Sequence, residues 1–342
     1  MCTDDEITTS PLVECVPNVS EGKNKRNIEW MADTIQNTDG VTLLHVDSNA
    51  DANRTVYTFA GNLQSVSNAA FALFEVVNKT VDMRTQKGAH VRNGGMDVCP
   101  LIPVGNVTTE ECVVEAKALG RRIGEMGVPV YLYGAAATSR PRQELSWLRK
   151  GQYEALEAKL RHREWQPDFG PTEWTPQVAR SGSVQIGVRP FLIALNVNLK
   201  TKDVNVAKNI ARKIRSSGFG GQKGEFPWLK ADGWWMAGYD CAQVTMNFTN
   251  HHETPVHIVY ERIRELACQT GTDVDGAELI GLIPLSAILT AGLYYAAQSG
   301  RIDQLSEKEL IALAIHQLGL QSRHSFEPTE RIFEKRLDSS RK

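Results

Sequence analysis

The sequence predicts an α+β fold of two ferredoxin-like units, each running βαββαβ, on the strength of three observations. The chain has 342 residues, 42% of them apolar, enough to build two cores of ordinary domain size. Along it, apolar residues switch between the period of a strand and the period of a helix in the same order twice. Between the two copies, residues 165–187 hold Pro167, Gly170, Pro171, Pro176, Gly182 and Gly187 with little periodicity, the composition of a linker or ligand-binding loop. A split βαβ pair places its helices on one face of an antiparallel sheet. The expected domains are 1–186 and 187–335, followed by a polar, frayed tail at 336–342.

In the first copy a short apolar strand at 12–16 stops at Pro17-Asn18, and Ser20-Glu21-Gly22-Lys23 turns into a helix at 24–36. After the turn at Asp39-Gly40, β-branched and aromatic residues mark strands at 41–46 and 55–59, separated by a polar loop at 47–53. Val66, Ala69, Ala70, Leu73, Val76 and Val77 fall on one face of a helix at 64–81, and a strand at 98–104 completes the unit. A helix at 110–124, a strand at 128–133 and two short helices between 143 and 160 follow. The second copy reads as a strand at 191–199, a helix at 204–214, and strands at 228–237 and 242–248 joined across Gly238-Tyr239-Asp240. A helix at 255–266, with Thr254 as its cap, then leads to a strand near 278–282. Beyond residue 286 the pattern is helical.

Lys plus Arg number 38 against 40 for Asp plus Glu, so there is no basic excess to neutralise a nucleic-acid backbone or an anionic membrane. The longest apolar runs, 98–104 and 191–197, fall far short of the roughly 20 residues of a membrane helix. The opening Met1-Cys2-Thr3-Asp4-Asp5-Glu6 is acidic, unlike a signal peptide. A soluble, cytoplasmic protein is expected. The cysteines at 2, 15, 99, 112, 241 and 268 form no CxxC pair, so neither a disulfide framework nor a structural zinc is expected, and they should be reduced and mostly buried. His251-His252-Glu253 offers adjacent residues that do not face one ion, without a third ligand at a familiar spacing. No metal is expected.

The densest candidate for chemistry is the loop Lys87-Gly88-Ala89-His90-Val91-Arg92-Asn93-Gly94-Gly95-Met96-Asp97. Glycines let backbone approach a ligand closely, and histidine is the side chain suited to proton transfer near neutral pH. From composition alone the loop reads equally as a glycine-rich surface turn. A second cluster, Asp47-Ser48-Asn49-Ala50-Asp51-Ala52-Asn53-Arg54, joins two strands. There Asp47 can orient a histidine or meet a cationic group, and Arg54 can clamp a carboxylate; standing alone, the cluster is more often a solvated hairpin turn. Met96, Met236 and Met246 read as packing residues. Trp174, Trp228, Trp234 and Trp235 suit a flat ligand and a core alike.

The segment Leu12-Val13-Glu14-Cys15-Val16-Pro17-Asn18-Val19-Ser20-Glu21-Gly22 closely resembles the opening of the glutamate formiminotransferase family. Asn53-Arg54-Thr55-Val56-Tyr57, Asp97-Val98-Cys99-Pro100, Val130-Tyr131-Leu132-Tyr133-Gly134, Pro167-Asp168-Phe169-Gly170-Pro171, Asn196-Val197-Asn198-Leu199 and Gly281-Leu282-Ile283-Pro284-Leu285 continue the resemblance in family order. It covers residue 12 to about 335. The family's fold is two ferredoxin-like subdomains in one transferase unit, and its bifunctional members add a cyclodeaminase domain, before which this chain stops.

The resemblance implies transfer of a formimino group from N-formimino-L-glutamate to N5 of tetrahydrofolate, in histidine degradation and one-carbon metabolism. The family's catalytic histidine falls on His90, with Asp47 beside it as a second catalytic residue. Arg54, Lys87 and Arg92 become the expected substrate-binding residues. The folate-contacting segment becomes Gly170, Pro171, Thr172, Glu173, Trp174, Thr175, Pro176, Gln177, Val178, Ala179 and Gly182, although between 170 and 189 this chain runs a few residues longer than most members. Tetrahydrofolate is the expected co-substrate, and no metal is needed. The expected partners are these small molecules, with neither nucleic acid nor membrane, and a homodimer is allowed. The chain departs from the family at the site: Gln86, Ala89, Val91 and Asn93 stand where a histidine, a glutamate, a proline and a methionine are common, and Ala135 replaces a polar residue. Two alternatives therefore stay open, a formyltransferase using N-formylglutamate and a non-catalytic folate-binding relative.

Overall fold

Two sheets organise the residues that the computed structural model describes, 11–301 and 304–340. The chain divides into two units, Met1–Pro190 and Phe191–Lys342. This is the α+β architecture that the duplicated order predicts, with each unit holding its own core.

In the first unit β1 (Leu12–Cys15) and β2 (Asn18–Val19) form one interrupted strand. The break falls at Pro17, which has no N–H to give but still accepts from Tyr57 N through its carbonyl. α1 (Lys25–Gln36) follows, then β3 (Val41–Asn49), β4 (Arg54–Gly61), α2 (Leu63–Thr80) and β5 (Met96–Gly105). β3, β4, the β1/β2 strand and β5 lie side by side in that order, each antiparallel to its neighbour. Side-chain oxygens of Asn24 and Asn62 accept the free N–H groups at the starts of α1 and α2, contacts worth about 1 kcal/mol each.

The chain then adds α3 (Thr109–Glu125), β6 (Val130–Gly134), α4 (Leu145–Leu148), α5 (Leu156–Leu160), α6 (Pro176–Ser181) and β7 (Val184–Val188). β7 pairs parallel to β5, and β6 parallel to β7, so the sheet grows beyond the expected four strands. The expected linker at 165–187 thus contains a helix and most of a central strand, and the boundary expected at 186/187 falls inside β7 instead of at Pro190/Phe191. β7 is buried throughout, so it lacks the alternation by which half-buried strands are recognised. Its Gly187 has a packing cause: a Cβ there would sit 2.4 Å from the Tyr133 ring.

One face of this sheet packs on α1, α2 and α3 around Tyr57, Phe59, Leu73, Phe74, Met31 and Ile35. On the other face Val98, Tyr131 and Tyr133 meet Leu148, Leu156, Leu160 and Val178 from the short helices. The polar stretch expected as a loop is partly strand, since Asp47, Ser48 and Asn49 pair with Val56, Thr55 and Arg54. Opposed residues of an antiparallel pair, and residues two apart, share a face. Asp47 and Arg54 are thereby placed on the face opposite the Tyr57 core.

The second unit runs β8 (Ile193–Leu199), α7 (Val204–Ile214), β9 (Leu229–Met236), β10 (Cys241–Phe248), α8 (Val256–Gln269) and β11 (Val274–Ile280). Its strands lie in the order β11, β8, β10, β9, all antiparallel. Thr254 does not cap α8: its hydroxyl donates to Pro227 O, and Pro255 holds the cap position. α9 (Leu285–Gln298), α10 (Glu307–Gln317), α11 (Pro328–Arg331) and α12 (Phe333–Ser340) close the unit. The expected frayed tail is therefore helical through Ser340, anchored by buried Phe333 and Leu337. No helix among the described residues is long and apolar enough to cross a membrane.

Candidate functional site

The loop carrying His90 is pinned to the β3–β4 hairpin by backbone and amide hydrogen bonds. Ala89 N donates to Asp51 O at 3.1 Å and His90 N to Ala52 O at 3.4 Å. Asn53 bridges outward, its Nδ2 donating to Lys87 O at 2.8 Å and its Oδ1 accepting from Gly22 N at 2.9 Å. Gly88 is required here, because a Cβ would lie 2.2 Å from Ala52 O. The loop is thus pinned to the hairpin although Lys87, Gly88, Ala89 and Val91 face solvent.

Gln86 explains one departure from the family. Its Nε2 donates to Asn53 O at 3.0 Å and its Oε1 accepts from Arg92 Nε at 3.0 Å. Arg92 then donates from both terminal nitrogens to Glu154, at 2.8 and 2.9 Å, and further to Gln152 Oε1 and Gln86 O. All five guanidinium N–H donors are occupied. In this arrangement the Arg92 guanidinium ties the His90 loop to the segment before α5. Asn93, where the family has methionine, donates to Leu148 O at 3.0 Å, while Ala135 is exposed and donates its N–H to Val188 O.

His90 itself is partly buried, and among the described residues its imidazole makes no hydrogen bond. Burial, with the positive charges of Arg54 and Arg149 nearby, holds its pKa down at about 2, so the ring is neutral. Arg54 makes no side-chain hydrogen bond among the described residues, and its Nε is buried without a partner. Burial lowers its pKa, Asp47 opposes that shift, and Arg149 adds to it. Asp47 thus acts on Arg54 by charge, and no hydrogen bond joins it to His90. Lys87 is exposed.

Arg149 and Tyr133 were not singled out from the sequence. Arg149 follows α4, a four-residue helix without a motif, and only folding brings it to Asp97, to which it is ion-paired. Asp97 is 1% exposed, and its Oδ1 accepts from Asn93 N at 2.7 Å. Burial pushes the Tyr133 hydroxyl up to about 12, against the pull of Arg189 and Arg149.

The segment expected to touch folate separates by environment. Thr172, Glu173, Pro176 and Gly170 are exposed, while Pro171, Trp174, Thr175, Gln177 and Ala179 are partly buried. Trp174 lies 6.0 Å from the Tyr153 ring, Thr175 caps α6 through Val178 N, and Gln177 Nε2 donates to Asn78 Oδ1 at 2.8 Å. Val178 is wholly buried in the core, so its side chain has no surface to offer a ligand. Gly182 bridges Gly94, and Gly95 N donates to Ser181 O at 2.8 Å, which sews the end of this segment to the His90 loop. No group of three or more His, Cys, Asp or Glu suited to a metal ion occurs among the described residues. His251 and His252 lie with ring centroids 4.0 Å apart.

Comparison with known proteins places these residues in a family. Residues 12–189 match the formiminotransferase domain, N-terminal subdomain, and residues 194–338 the formiminotransferase domain. Formimidoyltransferase-cyclodeaminase of Dictyostelium discoideum is 44% identical over 326 residues, covering 94% of this chain and 60% of that protein. Glutamate formimidoyltransferase of Streptococcus pyogenes serotype M1 is 39% identical over 285 residues, 83% of this chain and 93% of its own length. The corresponding enzyme of Thermoplasma acidophilum is 36% identical over 292 residues, again 93% of its length. The chain therefore spans about three-fifths of the cyclodeaminase-bearing relatives and nearly all of the shorter ones. With both parts of the domain matched in order, the chain belongs to the formiminotransferase domain family.

Proposed function

We propose that the chain is a glutamate formimidoyltransferase, moving the formimino group of N-formimino-L-glutamate to N5 of tetrahydrofolate. The observation that carries this is the His90 ring: neutral, free of protein hydrogen bonds, and held by the β3–β4 hairpin next to two guanidinium groups. A neutral imidazole is the form that accepts a proton, and the carboxylates of a bound donor, by offsetting the arginine charges that hold the ring's pKa down, would raise its basicity toward the working range. The N5 amine attacks the amidine carbon and forms a C–N bond, the tetrahedral intermediate breaks its bond to the glutamate nitrogen, and glutamate leaves. His90 takes the proton lost by N5 and returns one to the departing amine. The scheme requires only proton exchange, without a metal or redox step.

Arg54 and Asp47 support the donor end. An idle guanidinium suits the donor's carboxylates, and a carboxylate on the same sheet face suits a cationic amidine. Trp174 against Tyr153, flanked by exposed Thr172 and Glu173, supports a place for the flat pterin. The test is turnover of formimino and formyl donors with tetrahydrofolate, read as ultraviolet absorbance of the folate product. Turnover with formiminoglutamate is expected. Exclusive use of N-formylglutamate would replace the donor, and folate binding without turnover of either would leave a non-catalytic binding protein.

A further inference from the structure

We propose that Asn53 is the positioning residue of His90: its side chain, and not a hydrogen bond to the imidazole, sets where the ring stands. The inference rests on the formimino-transfer reading and deepens it by naming what holds the proton carrier in place. An acid–base histidine is ordinarily oriented by a group bonded to its second ring nitrogen. His90 has no such group among the described residues, since its imidazole makes no hydrogen bond there. Its position therefore comes from the backbone of its own loop, and that backbone is tied to the β3–β4 hairpin.

The ties differ in quality. His90 N reaches Ala52 O at 3.4 Å and Ala89 N reaches Asp51 O at 3.1 Å, whereas Asn53 Nδ2 donates to Lys87 O at 2.8 Å. Asn53 is also where three segments meet. Its Oδ1 accepts from Gly22 N at 2.9 Å, and its own carbonyl accepts from Gln86 Nε2 at 3.0 Å. The residue is 9% exposed and holds φ at +49°, a left-handed conformation that asparagine adopts more readily than most residues with a Cβ. Gly88 lets the loop close against it, because a Cβ there would lie 2.6 Å from Asn53 Cβ. The amide is thus committed to backbone at both ends, to the turn at 20–23 and to the loop. Asn53 acts through His90 and not on a substrate.

A double-mutant cycle on the full chain tests this. Asn53→Gly keeps the left-handed backbone and removes both side-chain bonds. Misplacing a reacting group by about 1 Å costs up to about 10²-fold, so kcat should fall roughly 10- to 100-fold while KM for both substrates stays within about threefold. In a His90→Ala background the same substitution should cost less than about twofold, because no ring is left to misplace. Equal losses in both backgrounds, or an unchanged kcat, would overturn the proposal. Amide hydrogen exchange reads the tie without turnover: the Ala89 and His90 N–H groups should exchange about tenfold faster in Asn53→Gly, with α2 unaffected. Unchanged exchange at those two amides would also overturn it. If Asn53→Gly proves unfolded by thermal melting, Asn53→Asp replaces it, keeping the acceptor for Gly22 N and losing the donor to Lys87 O, with the same outcomes expected. Should wild type turn over no donor, the functional reading fails on its own, and amide exchange still decides whether Asn53 holds the loop.

Discussion

The two units repeat one strand order and carry opposite chemistry on the sheet face turned away from the helical core. In the second unit that face carries a chain of paired amides, although Asn198 Nδ2 stays without a partner. Trp234 Nε1 donates to Gln243 Oε1 at 2.6 Å, and Gln243 Nε2 donates to Asn198 Oδ1 at 2.9 Å and Glu278 Oε2 at 3.2 Å. In the first unit the face holds Asp47 and Arg54, with the His90 loop bonded to the same hairpin, and the side chains of all three make no hydrogen bonds among the described residues. Paired amides contribute to stability, while idle charges cost it and remain available to a ligand. The same scaffold is stabilised on one side and poised on the other.

Two substitutions put that contrast at risk. Arg54→Met should raise KM for the glutamyl donor by roughly 10- to 100-fold, the loss of a charged hydrogen bond, while leaving the unfolding free energy unchanged or slightly higher. Gln243→Leu should do the reverse. It orphans the Trp234 indole N–H and leaves the Asn198 carbonyl only the weak Cys241 thiol donor, and should cost about 1–3 kcal/mol in denaturant unfolding. If Arg54→Met destabilised the protein more than Gln243→Leu, the division between a poised and a closed face would be wrong.

The smaller effect is on pH. His90 and His257 both hold depressed pKa values, about 2 and about 4, the first by burial with Arg54 and Arg149, the second by burial alone. An unfolded histidine takes its proton near pH 6.5, so the unfolded state binds more protons below that point. The stability of the neutral folded rings is therefore full above about pH 6.5 and is lost as pH falls. His257 stops contributing to the slope near pH 4, whereas His90 continues toward pH 2. His257→Phe should flatten the stability profile between about pH 6.5 and 4 by up to one proton's worth, about 1.4 kcal/mol per pH unit. Chemical unfolding across that range reads it, and a profile identical to wild type would show that the ring is not held neutral.

How much of this was legible in the sequence depended on whether local chemistry or tertiary contact decided each feature. The turn at 20–23 marked the start of α1 because turn chemistry is local, and the amphipathic period gave α7 its observed bounds. β7 was hidden because a strand buried on both faces carries no alternation. The polar string at 47–53 looked like a loop, yet pairing with β4 turned its first three residues into strand. His90 and Arg54 stood out as chemistry in a glycine-rich and polar setting. Arg149 did not, since its importance lies entirely in reaching Asp97 from a distant helix. Arg92 shows the converse: it stands in the same motif as His90, but Gln86 and Glu154 claim its guanidinium.

The most direct measurement is single-variant kinetics on His90→Ala with the preferred donor, together with equilibrium binding of tetrahydrofolate. General acid–base groups contribute on the order of 10²- to 10⁴-fold in rate, so kcat should fall by that factor while folate affinity stays within about twofold. Near-normal turnover by the variant, or loss of folate binding in step with turnover, would contradict the assignment of proton transfer to His90.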